Sequence, residues 1–353
     1  ALLEINIQCV GPTKDLAQIE SSKGFTRDLM KKYNILGCPN YQIFHSLMGV
    51  PKFLKTLGDN YVVKFDGLMG GKGVKVSGEH VNSHKEAIEY CEQIIGDAGT
   101  FVIEEKLVGE EFSLMSFCDG DHLIHMPPVQ DHKRAYENDT GPNTGGMGSY
   151  NDAYQTLPFL TTKDIDSAKA INIATAKALK EEFGVGYKGI LYGGFIATAD
   201  GIKVIEYNAR FGDPEVMNVL SLLESDLIEI CLGITNTTLN ECDVKFSNKA
   251  TVCKYVVPEG YPDSPIKGEF IDISKIKNPD QLYFASVDLE NNTLLESGSR
   301  TIAVVGIADK LYEAEIIAED EINRIKGPLF HRTDIGTAEL VQKRINHMNT
   351  LRG

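Results

Sequence analysis
No run of 18 or more apolar residues occurs in the 353-residue sequence, so no transmembrane helix is expected. Nothing at Ala1 has the pattern of a signal peptide. Positive charge is in short supply. Lys and Arg number 35 against 50 Asp and Glu, for a net charge of −15 and a pI near 5.0. That balance excludes nucleic acid and an anionic membrane as the main partner, but it allows an anionic small substrate held by local basic groups. Cysteine is sparse and scattered, at positions 9, 38, 91, 118, 231, 242 and 253, with no C-x-x-C pair. Reduced, mostly buried thiols in a cytoplasmic protein fit this pattern, and a disulfide framework or structural zinc does not. H-E-x-x-H, G-x-S-x-G, and the kinase sequences H-R-D and D-F-G are absent, which removes zincin, serine-hydrolase and protein-kinase readings. Internal repeats and low-complexity tracts are absent too.

What is present is an ordinary globular composition, 42% apolar and 24% charged, in a chain long enough for two or three domains. The opening, Ala1 to Pro12, reads as the end of a helix entering a short buried strand at 5–10, the tail of an element whose start is missing.

The most informative stretch runs from Lys203 to Glu215. It begins as a strand, and alternation puts Val204, Glu206 and Asn208 on one face and Lys203, Ile205 and Tyr207 on the other. Glu206 and Asn208 are then roughly 7 Å apart along the strand. A carboxylate and an amide carbonyl so placed are hard ligands for a Mg²⁺ that already holds phosphate oxygens. Arg210 continues that face and suits a phosphoryl or acyl-phosphate oxygen. A strand edge with solvated polar residues is the competing reading.

Upstream, Ser21 or Ser22 caps a predicted helix carrying Phe25, Leu29 and Tyr33, with Lys23 in its first turn. Tyr61–Asp66 reads as a strand running into Gly67-Leu68-Met69-Gly70-Gly71-Lys72-Gly73, and Val74–Val76 as the return strand. Glycines so spaced around a lysine describe a backbone able to wrap phosphate oxygens, although the sequence is neither a P-loop nor G-x-G-x-x-G. Residues 84–95 form a predicted helix with Ile88, Cys91 and Ile95 on one face. Strands are expected at 101–107 and 112–118, the second turning at Asp119-Gly120 into Leu123–Met126. Gln130-Asp131-His132-Lys133-Arg134 and the run Asp139–Gly148 are too polar and glycine-rich for a core. They suit a surface shaped around a small polar substrate, and His132 is as consistent with a structural as with a catalytic role.

A helix is expected at 163–183 with Gly184 as its stop. A strand at 189–198 returns through Asp200-Gly201, and a helix at 220–232 carries Glu224 and Asp226. From about 243 the pattern becomes a small α+β unit, with strands at 250–257, 283–287 and 301–307, a helix near 309–325, and a closing helix.

The pieces are antiparallel and hairpin-rich, which points away from Rossmann and P-loop folds. At this point the chain resembles the ATP-grasp superfamily and, within it, the phosphoribosylamine–glycine ligase family. The resemblance rests on Val63-Lys64-x-Asp66-Gly67-Leu68 with Gly71-Lys72-Gly73-Val74, on Val102–Glu105, on Gly109-Glu110-Glu111-Phe112-Ser113, and on Gln130–Arg134. It rests equally on Asp139–Gly148, Glu206-x-Asn208-x-Arg210-Phe211-Gly212-Asp213-Pro214-Glu215 and Arg332-x-Asp334-Ile335-Gly336. It covers nearly the whole chain. One departure is Met69-Gly70, where the family usually has Ala-Ala or Ala-Gly; it removes no phosphate ligand.

The resemblance implies an α+β ATP-grasp fold, two subdomains clasping ATP, over 21–242 with a lid at about 41–108. It further implies a C-terminal α+β domain over 243–353, with 1–20 as a remnant of an N-terminal Rossmann-like domain that is largely absent. It implies ATP with Mg²⁺ or Mn²⁺, and glycine and 5-phosphoribosylamine as substrates of a monomer or weak homodimer. Lys23 and Lys64 would contact ATP phosphates, and Gly67, Gly70, Gly71, Lys72 and Gly73 would cover them. Glu104, Lys106 and Leu107 would meet adenine and Glu111 the ribose. Glu206 and Asn208 would hold the metal, and Arg210 would face the acyl phosphate. Asp131, Lys133, Asn143, Thr144 and Asp213 are the expected further substrate contacts. Another ATP-grasp carboxylate–amine ligase is the nearest alternative, and an ATP-binding module without activity is a second.

Overall fold
The structure, a computed structural model, describes Ile5, residues 7–69 and residues 73–353. Gly70, Gly71 and Lys72 of the expected phosphate loop lie outside the described residues. Among the described residues of the expected strand at 5–10 no strand forms, and Ile5 and Ile7 are exposed; the helix end expected before it, at 1–4, lies outside the described residues.

Two helices open the ordered core, α1 (Gln18–Ser21) and α2 (Lys23–Lys32). The Ser22 hydroxyl accepts the Phe25 N–H at the start of α2, satisfying one of the free donors of its first turn. The first sheet comprises β1 (Tyr41–Phe44), β2 (Tyr61–Phe65), β3 (Val74–Val76) and β4 (Phe101–Glu105), in the antiparallel order β1-β4-β2-β3. Helices α3 (Val50–Leu57) and α4 (His84–Gly96) pack on it around Phe44, Val50, Leu54, Val63, Cys91 and Phe101. The buried face of α4 is Ala87, Cys91 and Ile94. It shares Cys91 with the expected face but is turned by one residue, leaving Ile88 and Ile95 half-buried.

A second sheet has the order β12-β11-β5-β6, from β5 (Glu110–Asp119), β6 (Leu123–His125), β11 (Lys188–Thr198) and β12 (Gly201–Asn208). Between β6 and β11 come β7 (Gln130–Asp131), a ribbon of β8 (Arg134–Tyr136) and β9 (Thr140–Asn143), β10 (Gly148–Asn151) and α5 (Thr162–Phe183). Thr161 and Asp164 form a capping box at the start of α5. Gly184 ends it at φ +71°, a left-handed position where a side chain would be strained.

The alternation expected along β12 is broken. Gly194 pairs with Glu206 but Phe195 pairs with Val204, so Ile205 is an extra residue, a β-bulge. Ile202 and Val204 face the core before the bulge and Tyr207 faces it afterwards. Val204 therefore does not share a face with Glu206 and Asn208.

The helix expected at 220–232 is two helices, α6 (Glu215–Leu220) and α7 (Leu227–Asn236). Between them the chain bonds outward, through Glu224 N–H to the Lys245 carbonyl and Ser247 N–H to the Leu222 carbonyl. Asp226, read as mid-helical, instead caps α7 by accepting the Ile228 N–H at 2.7 Å.

The C-terminal strands are β13 (Ala250–Pro258), β14 (Phe270–Ile271), β15 (Leu282–Phe284), β16 (Val287–Glu290), β17 (Thr293–Glu296), β18 (Ile302–Ala308) and β19 (Leu329–Phe330). One sheet runs β15-β18-β13-β10-β7, with β19 also on β13. The strand that carries Asp131 thus shares a backbone ladder with the C-terminal segment. Helix α8 (Leu311–Ile322) lies across β18 and β13. Its approach is close enough that a Cβ on Gly306 would sit 1.9 Å from the Ala314 carbonyl oxygen. Helix α9 (Ala338–Arg352) closes the chain. Among the described residues no helix is long and apolar enough to cross a membrane.

Candidate active site
Lys64 stands on β2, buried, with Nζ 2.7 Å from Glu104 Oε2 and 3.3 Å from the Ile205 carbonyl oxygen. Arg27 reaches the same two groups from α2. Its Nε lies 2.7 Å from Glu104 Oε1, and its Nη2 lies 3.0 Å from Oε2 and 2.7 Å from the Ile205 oxygen. The first sheet and the bulge of β12 are therefore fastened together by two cations around one carboxylate. Burial opposes the Glu104 charge, but Arg27 and then Lys64 overcome it and hold the pKa down to about 2. The structure departs here from the expected adenine contact. Glu104 is 2% exposed with both oxygens taken, because a buried carboxylate needs its cations. Arg27 was not anticipated. Its signal in the sequence is a second cation one turn beyond Lys23, on the same face of α2.

Lys23 Nζ donates to the Gly67 carbonyl at 3.1 Å, and burial lowers its pKa while Glu206 works to raise it. Asp66 accepts the Gly24 N–H and the Ser22 hydroxyl, tying the chain just after β2 to the N-terminus of α2. The Gly73 carbonyl accepts the Phe65 N–H at 2.8 Å where the chain returns.

Beyond the bulge, Glu206 borders the cleft and Asn208 stands half-buried two residues further along β12, and neither side chain is hydrogen-bonded to any described residue. Among the described residues no group of three or more His, Cys, Asp or Glu could cage a metal alone. The unbonded carboxylate of Glu206, with Lys23 lining the same cleft, and the amide oxygen of Asn208 are hard oxygens of the kind that Mg²⁺ takes from a protein when phosphates supply other ligands. Arg210 is 3.2 Å from Glu20 Oε1 and donates to the Phe211 carbonyl, while Glu20 Oε2 accepts the Ala209 N–H.

Glu206 borders two adjoining clefts. One, about 260 Å³, is lined by Glu20, Lys23, Arg27 and Tyr207; the other, about 320 Å³, by Glu111, Asp131, Lys133, Tyr192 and Glu215. Lys133 Nζ lies 3.5 Å from Glu111, whose charge raises the lysine pKa. Asp131 Oδ1 is buried with no hydrogen-bond partner, and burial followed by the charge of Glu215 pushes its pKa well up. Glu215 is also buried and shifted upward, and its Oε1 accepts the Tyr192 hydroxyl at 2.7 Å.

Other expected contacts are occupied within the protein. Lys106 Nζ donates to the Ser77 carbonyl and pairs with Glu79, with Leu107 half-buried beside it. Thr144 Oγ1 donates to the Lys133 carbonyl and accepts the Gly146 N–H, which fixes the loop. Asn143 is exposed at the end of β9. Asp213, expected at substrate, has both oxygens on Arg300 and accepts the Tyr255 hydroxyl, so its charge is already matched. His132 is 1% exposed with neither ring nitrogen bonded; burial and then Arg332 and Arg344 lower its pKa to about 3, which favours the structural reading.

Residues 21–216 match the family model for the ATP-grasp (A) domain of phosphoribosylglycinamide synthetase, and residues 251–338 match that for its C domain. The phosphoribosylamine–glycine ligase of Methanosarcina barkeri is 51% identical over 353 residues, spanning 100% of this chain and 81% of the relative. That of Methanocaldococcus jannaschii is 51% identical over 361 residues, 99% of this chain and 81% of the relative. The crystal structure of phosphoribosylamine–glycine ligase from Thermotoga maritima superposes with a TM-score of 0.83 at 29% identity, over 92% of this chain and 81% of that one. A biotin carboxylase domain from Hydrogenobacter thermophilus, solved with MgADP, shares the fold alone, with a TM-score of 0.68 at 14% identity over 99% of this chain and 74% of that one. With its α+β ATP-grasp fold and matches over nearly its whole length, this chain belongs to the phosphoribosylglycinamide synthetase family.

Proposed function
We propose that this chain joins glycine to 5-phosphoribosylamine at the expense of ATP, giving glycinamide ribonucleotide, ADP and phosphate in de novo purine biosynthesis. In the first step a glycine carboxylate oxygen attacks the γ-phosphorus and the bond to ADP breaks. In the second, the amine of phosphoribosylamine attacks the carbonyl carbon of the resulting glycyl phosphate, loses a proton, and phosphate departs. No covalent enzyme intermediate is required, so the protein acts by positioning and charge neutralisation.

The observation that carries this reading is a cleft lined by Lys23 and by Glu206, whose side chain bonds to no described residue, with Lys64 held against the Ile205 carbonyl beside it. The lysines take phosphate oxygens. Adenine meets the backbone near Lys106 and Leu107, and the ribose meets Glu111. Glu104 acts through Lys64, holding its ammonium in place. Glu206 and Asn208 hold Mg²⁺ or Mn²⁺, which when bound neutralises phosphate charge. Arg210 faces the acyl phosphate. Asp131 and Lys133 border the space for the substrates, and Thr144 and Asn143 shape its rim.

The test is ADP formation with Mg²⁺, ATP, glycine and freshly generated phosphoribosylamine, omitting each in turn. ADP release that needs both glycine and phosphoribosylamine is expected. Release only with some other carboxylate or amine points to a different ATP-grasp ligase, and nucleotide binding without release to an inactive module. Lys64→Ala is expected to raise the ATP concentration needed for turnover, and an unchanged ATP dependence would remove Lys64 from the phosphate site.

A further inference from the structure
Arg300 lies just before β18, distant in sequence from the segments it touches. Its Nη2 is 2.8 Å from Asp213 Oδ2, and its Nη1 is 3.0 Å from Asp213 Oδ1 and 3.0 Å from the Gly145 carbonyl oxygen. Nη1 is also 3.1 Å from the Asp213 carbonyl oxygen and 3.4 Å from that of Gly146. The guanidinium carbon sits 4.8 Å from the centre of the Tyr255 ring, and the Tyr255 hydroxyl donates to Asp213 Oδ1 at 2.9 Å. One planar cation thus joins the 145–146 turn, the Asp213 turn and β13. It stacks on an aromatic face and is bidentate to a carboxylate, a combination that a lysine cannot reproduce.

The turn held in this way presses on the cleft. A Cβ on Gly146 would lie 2.6 Å from Pro214 Cδ and 2.7 Å from Asp131 Oδ1, and the residue has φ +115°, so the turn fits only as glycine and only where it stands. Met147 accepts the Tyr255 N–H at 2.9 Å, and Thr144 holds the Lys133 carbonyl. Any slackening at Arg300 reaches Asp131 and Lys133 through two short connections.

We infer that Arg300, with Asp213 and Tyr255, is a positioning clamp that fixes the 144–147 turn and, through it, the Asp131–Lys133 wall against which the amine acceptor binds. This rests on the ligase reading for the identity of the acceptor, but not for the mechanical coupling. It gives the segment after 250 a part in the second half of the reaction. Asp213 becomes a partner of the clamp and Arg300 a positioning residue.

The test uses the full chain. Arg300→Met is expected to lower kcat/KM for phosphoribosylamine on the order of 100-fold, the scale set by small misplacements of binding groups. The loss should lie mainly in KM for that substrate, with KM for ATP unchanged. Arg300→Lys should fail to rescue. Asp213→Asn should act in the same direction, and the double variant should be no worse than Arg300→Met, because both remove one interaction. Amide hydrogen exchange at residues 145–147 should quicken in each variant while β2 and β4 keep their protection. The clamp is overturned by a folded Arg300→Met enzyme with unchanged KM for phosphoribosylamine and unchanged exchange at 145–147. Strictly additive losses, or equal losses for every substrate, overturn it as well. Wild-type protein that ignores phosphoribosylamine would sink the ligase reading, while the exchange measurement would still judge the clamp.

Discussion
Glu104 on β4 is a buried carboxylate and Asp131 on β7 a half-buried one with a fully covered oxygen, and their surroundings drive them in opposite directions. Glu104 has Arg27 and Lys64 within hydrogen-bonding distance, and its pKa falls to about 2 from an ordinary 4.5. Asp131 has a buried oxygen with no partner and Glu215 close by, and its pKa rises well above 3.8. The first arrangement pairs the charges inside the protein and locks two cations at the bulge of β12. The second leaves a group unmatched at the wall of a cleft, where a ligand can meet it. Unmatched polar groups in a folded protein are costly, and they concentrate where function needs them.

Removing one of the Glu104 cations is the strongest way to break this contrast. Arg27→Leu should destabilise the fold by about 3–5 kcal/mol at pH 7, the usual penalty for leaving a buried charge half-paired. A urea unfolding curve would show it, and a change below about 1 kcal/mol would mean that the pairing is not what holds the two sheets together. The sign with pH follows from the lowered pKa. The Glu104 contribution is complete above about pH 4.5 and is lost as pH falls towards about 2, so the gap between wild type and Arg27→Leu should narrow over that window.

On the unbonded side of the cleft, Glu206→Gln should reduce turnover by about 100- to 1000-fold, as loss of a single charge-stabilising group does. Its unfolding curve should match wild type, since Glu206 bonds to no described side chain. Wild-type rates in this variant would take Glu206 out of the metal site. The smallest effect expected is a gain. In Asp131→Asn the unmatched charge is gone, and stability should rise by about 1 kcal/mol at neutral pH while turnover drops. Because the folded pKa of Asp131 is raised, the native carboxyl withdraws stability as pH climbs past 3.8, so the gain should vanish below that pH. Equal stability of the two proteins at every pH would show that Asp131 is not held in an unmatched state.

Part of the candidate site was legible in sequence. Lys23 and Glu206 line one cleft, Lys64 bonds the Ile205 carbonyl beside it and Arg210 pairs with Glu20 on its wall, and most strands and helices lie within a few residues of expectation. What sequence reasoning missed shares one cause. Ile205 looked like one more alternating residue, and only its pairing with β11 reveals the bulge that turns Glu206 and Asn208 away from the core. Asp226 looked helical because Leu227 to Leu232 is, but backbone bonds to 245–247 stop the preceding helix. Arg27 and Arg300 gave little local signal, because their partners lie 77 and 87 residues away.

By itself the sequence determined which side chains are candidates for the chemistry: the lysines and glycines before β4, the Glu-x-Asn-x-Arg order at the end of β12, and the polar run from Asp139 to Gly148. Those are properties of residue type and spacing, which a chain carries before it folds. Tertiary structure alone decided how each is used. Glu104 and Asp213 became anchors for cations, Asp131 stayed unmatched, and a bulge chose the face on which Glu206 and Asn208 stand. Charge pairing and strand register are set by groups distant in the chain, and their energies arise only when folding removes water from between them.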